Sequence, residues 1–141
     1  KLKICSKNAD GLQNIQKNTI RKFISECARR RNRGQAQVFL VQEHNLDPSR
    51  EDKLRELAIH FKFHLAVAFA PPASNGTHYG GTLTLIDEKS AQLKETTIHD
   101  PGMLETIIDW DGAVLKLVNM YVPARPVQRI DFLRKLRPKF E

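Results

Sequence analysis

Only two cysteines and one tryptophan occur among 141 residues, and no apolar run comes near the roughly 18 residues that cross a bilayer. Two cysteines provide neither a disulfide framework nor a zinc site. Cys5 falls in an apolar strand segment and Cys27 on the apolar face of a helical one, so both read as small buried hydrophobes, and an intracellular, reducing compartment is expected. No secretory signal is visible, because the first apolar stretch is short and runs straight into charges. There is no internal repeat or low-complexity tract, and no starting methionine, which points to a segment trimmed from a longer chain. What is present is a 40% share of hydrophobic residues, enough for the core of one globular domain over 1–141.

The net charge of +7 is unevenly placed. Residues 1–33 hold ten Lys or Arg against Asp10 and Glu26, a balance of +8; the remainder hold thirteen against fourteen, a balance of −1. The segment "CARRRNRG" concentrates the excess at Arg29, Arg30 and Arg31. Such a cluster can hold phosphates, or it can be a solvated helix end whose arginines suit the helix dipole.

Along the chain, "LKIC" predicts a first strand and "NIQKNTIRKFISECARRR" a helix, with Ile20, Phe23, Ile24, Cys27 and Ala28 on one face. "QVFLV" predicts a buried strand. "DPSREDKLRELAIHF" predicts a second helix opened by a capping-box-like Ser49 and Asp52. "FHLAVAFA" predicts a strand, and "PPASNGTHYGG" a loop. "TLTLI" and "AQLKETTI" are expected to pair across a short connection. "LETIIDW" and "AVLKLVNMYV" form a hairpin through Asp111-Gly112, the strongest turn signal in the chain. A third helical segment carries Val127, Ile130, Phe132, Leu133 and Leu136. The order predicts an α+β fold, a mixed sheet with helices on one side.

Functional groups in such folds gather where strands run out into loops. "LKIC" runs out at "SKNADG", "QVFLV" at "QEHN" and "AVLKLVNMYV" at "PAR", so Asn8, Asp10, Glu43 and Tyr121 can converge on one edge of the sheet. A carboxylate just past a buried strand, as at Glu43, is placed to hold a hard cation such as Mg²⁺. Each residue also has a plainer reading. Glu43 can be an ordinary strand end, Asp10 a turn former before Gly11, Asn8 a partner of its own turn, and Tyr121 a half-buried core aromatic. His60 and His64 have the i, i+4 spacing of a zinc pair, but a helix ending near Phe61 and the lack of a third ligand argue against it.

Taken together, "KNADGL", "QE" and "YVP" resemble the endonuclease/exonuclease/phosphatase superfamily, whose pattern runs W-N-x-[ND]-G-L, then Q-E, then Y-x-P. "KICSKNADGL" and "LVQEHNL" look like abasic-site endonucleases; "GGTLTLI" and "VNMYVPA" are equally at home in the endonuclease domains of non-LTR retrotransposons. The resemblance implies half of a four-layer α/β sandwich. It implies Glu43 and Asp10 at a Mg²⁺ (or Mn²⁺) ion, Asn8 ordering the site and Tyr121 on the scissile phosphate, with Lys7, Arg29, Arg30, Arg31 and Arg125 on the flanking DNA backbone. The reaction implied is phosphodiester hydrolysis by in-line attack of water, and the setting implied is nuclear.

The sequence departs from the pattern at Lys7, where the family has tryptophan, and near Leu104 and Glu105, where it often has arginine. It also contains neither the D-x-N segment that positions the nucleophile nor the final D-H pair. The expectation is therefore an N-terminal half that is inactive alone, with an apolar sheet face covered by the C-terminal half or by a homodimer mate. A phosphoinositide or other phosphoesterase of the same fold, and a noncatalytic nucleic-acid-binding or assembly module, are the competing readings.

Overall fold

In a computed structural model, which describes residues 1–122, 129–131 and 133–134, seven strands and two α-helices follow one another in the order the sequence predicts. They are β1 (Ile4–Asn8), α1 (Thr19–Asn32), β2 (Val38–Gln42), α2 (Glu51–His60), β3 (Phe63–Ala68), β4 (Thr82–Asp87), β5 (Ala91–Asp100), β6 (Met103–Trp110) and β7 (Ala113–Met120). A 3₁₀ turn, Pro48–Arg50, leads into α2.

The strands form two sheets, a mixed one ordered β1-β2-β4-β3 and an antiparallel one ordered β5-β6-β7. In the first, β1 runs parallel to β2 while β4 is antiparallel to both β2 and β3. β2 lies at the middle and is buried on both faces, which is why "VFLVQ" reads as an unbroken run of β-formers. Phe39 and Val41 point toward the helices, where Ile20, Ile24, Leu54 and Leu57 join them in the main core. Val38 points the other way, into a second core with Ile86, Ile108 and Leu117. The layers are thus helices, mixed sheet and antiparallel sheet. The fold is α+β with its helices on one side of the mixed sheet.

Four local expectations need correction. "TLTLI" and "AQLKETTI" do not pair: β4 stays in the first sheet and β5 opens the second. The Glu88–Ser90 turn switches sheets, held by the Ser90 hydroxyl and backbone N–H on Asp87. That switch lays β5–β7 over the face of the mixed sheet that was expected to stand uncovered, so the chain covers it with its own residues. Third, Ser49 does not open α2 as a capping residue. Asp47 accepts from the Ser49 N–H and hydroxyl and caps the 3₁₀ turn instead. Finally, α1 begins only at Thr19, because Asn18 takes a left-handed conformation (φ 51°). The Asp111-Gly112 hairpin is present, both residues having positive φ (52° and 83°), as a type I′ turn demands. Of the third helical segment, 129–131 and 133–134 are helical, with Ile130 and Leu133 exposed; its other residues lie outside the described ones.

Candidate phosphoester site at the strand ends

β1 and β2 are parallel, so their C-terminal ends leave the sheet side by side, with Asn8 opposite Gln42. Beyond the paired residues the two chains remain bonded. The amides of Ala9, Gly11 and Leu12 donate to the carbonyls of Gln42, Glu43 and His44 at 2.8, 2.9 and 2.8 Å. Asp10 is thereby held across from Glu43. The Asn8 Oδ1 accepts the Asp10 N–H at 2.9 Å, closing an Asx turn that leaves the Asn8 amide nitrogen for other partners.

The backbone here is unusual. Asp10, Glu43 and Asn45 are non-glycine residues with φ of 52°, 56° and 57°, a left-handed conformation that costs an ordinary residue about 1–3 kcal/mol when it is strained. Three of the six such residues among the described ones thus fall at the ends of these adjoining strands. Asn45 ties in a third segment: its Oδ1 accepts the Gly80 N–H at 2.7 Å and its own N–H reaches the Gly80 carbonyl at 2.8 Å.

Tyr121 arrives from the other sheet. Its N–H donates to the Gly102 carbonyl at 2.8 Å, and its hydroxyl hydrogen-bonds to the Glu43 carboxylate, which raises the phenol above its ordinary pKa. Just beneath, two buried amides fix how the sheets meet. Gln42 Nε2 donates to Asn119 Oδ1 at 2.9 Å, and Asn119 Nδ2 donates to the Leu83 carbonyl at 2.8 Å and to the Val41 carbonyl at 3.2 Å. Sequence reading missed Asn119. Its only signal was an amide in the otherwise apolar run "AVLKLVNMYV".

His44 is fully buried beside Glu43. The Leu46 N–H donates to Nδ1 at 2.9 Å, so the ring proton is on Nε2 and is donated to the Ala68 carbonyl at 2.8 Å. Burial pushes its pKa down to about 4, against the smaller opposing effect of the Ala68 carbonyl. It is a neutral structural brace. The Cβ of any other residue at Gly81 would overlap its ring.

The structure thus brings Asn8, Asp10, Glu43 and Tyr121 to one edge. The basic residues go elsewhere. Lys7 lies over the Phe23 ring at 5.8 Å, on the helix side of β1. Arg29, Arg30 and Arg31 end α1 at the opposite edge of the sheet, because α1 runs back from the loop after β1. Arg29 and Arg30 pair with Glu26. Arg31 is occupied by the Phe61 carbonyl at 2.5 Å, by Asp87 at 3.7 Å and by the Phe63 ring. Arg125 lies outside the described residues. His60 ends α2, whereas His64 is in β3 with Nε2 on the Ala91 carbonyl, so the two do not form a pair on one helix. Among the described residues no cluster of three or more His, Cys, Asp or Glu forms a metal cage. No helix among them is long and apolar enough to cross a membrane.

No protein-family model and no curated protein matches the chain. Solved structures do. The humanized D. rerio TDP2 with 14 mutations aligns at a TM-score of 0.63 and 17% identity, over 98% of this chain and 57% of that one. The AP endonuclease LMAP from Leishmania major aligns at 0.62 and 20% identity, over 97% and 47%. An endonuclease/exonuclease/phosphatase family protein from Leptotrichia buccalis C-1013-b aligns at 0.59 and 15% identity, over 96% and 63%. The chain spans about half the length of the first two, and it carries the fold of the endonuclease/exonuclease/phosphatase proteins over that span.

Proposed function

We propose that the chain is the N-terminal half of a metal-dependent phosphodiesterase domain that hydrolyses DNA, an endonuclease of retrotransposon type acting in the nucleus. One observation carries the reading: Asn8, Asp10 and Glu43 leave adjacent parallel strands at one edge, and Tyr121 is bonded to Glu43 there. The likeness of fold to an AP endonuclease supports it.

The donor set fits a hard cation. Two carboxylates and an amide at a solvent-facing edge suit Mg²⁺ or Mn²⁺, which keep several waters and need no closed protein cage. Glu43 and Asp10 would hold the ion, and its charge would stabilise the phosphoryl and leaving oxygens. The remaining groups act by position. The Asx turn orients Asn8 so that its amide nitrogen can donate to a phosphate oxygen. Tyr121 presents its hydroxyl at the same edge, held against the Glu43 carboxylate. Asn8 is thus a pre-oriented donor of the kind that favours developing charge on a phosphoryl group, whereas the single Tyr121 proton is directed at Glu43.

The groups that would position the attacking water are absent from the sequence, so the 141-residue chain alone should show no turnover, and the C-terminal half of the same domain would supply them. Plasmid nicking by the full-length parent, titrated with Mg²⁺, tests the reading. Glu43→Ala should abolish nicking. Full activity in that variant, or hydrolysis of a phospholipid headgroup with none of DNA, would overturn it.

A further inference from the structure

At the end of the sheet away from Asn8 and Glu43, three segments remote in sequence meet around an open cleft of ≈ 530 Å³. The C-terminal turn of α1 contributes Arg29, Arg31 and Arg33, the α2–β3 turn contributes His60 and Lys62, and the β4–β5 turn contributes Lys89. Two of these cations are already committed: Arg29 to Glu26, and Arg31 to Asp87 and to two carbonyls. The exposed side chains of Arg33, Lys62 and Lys89 form no ion pair among the described residues. Five cations less two carboxylates leave the cleft at +3.

Two helix C-termini converge there, and their carbonyl dipoles alone would explain some positive charge. The backbone has answered that need at α1, where the N–H groups of Arg33, Gly34 and Gln35 already cap the carbonyls of Arg29, Arg30 and Arg31. The three uncommitted cations are therefore surplus to capping. Lys89 also borders a neighbouring acidic depression lined by Glu88, Asp109 and Asp111, which confines an anion to the α1–α2 side.

We infer that this cleft binds the sugar-phosphate backbone of a nucleic acid strand, separately from the candidate hydrolytic site. The inference rests on the nucleic-acid reading above and adds a second contact to it. A membrane surface is flat and meets cations on a convex or planar face, whereas these line a concavity that a narrow polyanion can enter. The cleft and the hydrolytic edge lie at opposite ends of β2, about 17 Å of strand apart, so they are two separate points of contact. Holding and cutting are then separable functions of one small fold.

Binding of a fluorescent single-stranded oligonucleotide to the 141-residue chain, measured across salt concentrations, tests this. The Arg33→Gln/Lys62→Gln/Lys89→Gln variant should lower the slope of log affinity against log salt by about 2, at roughly 0.7 per phosphate contact on a single strand. A control of equal charge loss, Lys53→Gln/Lys94→Gln/Lys116→Gln, should leave the slope unchanged. Circular dichroism verifies that each variant is folded. Equal loss in both triple variants, or binding to anionic vesicles without binding to the oligonucleotide, would each overturn the cleft. Nicking by a parent whose cleft variant binds like wild type would sink the cleft alone and leave the proposed hydrolysis standing.

Discussion

Acidification from pH 7 to pH 4 should cost this fold about 3 kcal/mol through one side chain, His44. Its imidazole is fully buried, with a pKa pushed down to about 4 from an ordinary 6.5. The unfolded chain therefore binds a proton that the folded chain refuses between those two values. A group depressed in this way contributes stability that is complete above pH 6.5, falls as pH drops toward 4, and changes no further below that. A difference of about 2.5 pH units at 1.36 kcal/mol each gives the magnitude. Urea unfolding followed at several pH values supplies the assay. His44→Leu keeps the bulk but strands the Leu46 N–H and the Ala68 carbonyl, so at pH 7 it should be destabilised by roughly 2–4 kcal/mol. Its stability should then fall with acid less steeply than that of the wild type, and the gap between the two should narrow by about 3 kcal/mol toward pH 4. Parallel pH profiles for the two proteins would refute the assignment of His44 as a buried neutral brace.

Gly81→Ala places a Cβ within the His44 ring and 2.9 Å from the Ala68 carbonyl, at φ 86°, and should cost more than about 2 kcal/mol in thermal unfolding. Asn119→Leu leaves the Val41 and Leu83 carbonyls and the Gln42 amide short of a partner, for an expected loss of roughly 2–4 kcal/mol. A double-mutant cycle with Gln42→Leu should show coupling of at least about 0.5 kcal/mol, and simple additivity would deny that the two amides act as one. The chain has two tyrosines, and ultraviolet titration should resolve them. Tyr79 ionises first, its pKa lowered by Asn75, and Tyr121 last, its pKa raised by Glu43, with Glu43→Gln moving the later step earlier.

Elements were legible where a local rule decides them. The period of Ile20, Ile24 and Cys27 marks α1, the run at Val38–Gln42 marks a doubly covered strand, and Asp111-Gly112 admits one turn type. Pairing was not legible where it depends on a distant surface. Nothing in Glu88–Ser90 says that the chain changes sheets, because the reason is the apolar face of Val38 and Ile86 that β5–β7 must cover. The strand-end positions of Asn8, Asp10 and Glu43 followed from their place after apolar runs. The amide bridge from Gln42 to Asn119 joins residues 77 apart and leaves no local trace. The arginine run misleads in a related way: its charge is plain in the sequence, but the commitment of Arg31 to Asp87 and to the Phe61 carbonyl is visible only once three loops are folded together.

The two-sheet origin of the strand-end site also sets a timetable. Asp10 and Glu43 are translated before Tyr121, which follows Glu43 by 78 residues. At about 5–20 residues per second, the ribosome therefore separates them by several seconds. Throughout that interval Glu43 has no phenol to bond, Gln42 has no Asn119, and the inner face of the mixed sheet has no cover. The nascent chain can build its helix-side core first, but the strand-end constellation closes only when β7 docks, which makes its assembly a late event that reports on the completion of both sheets.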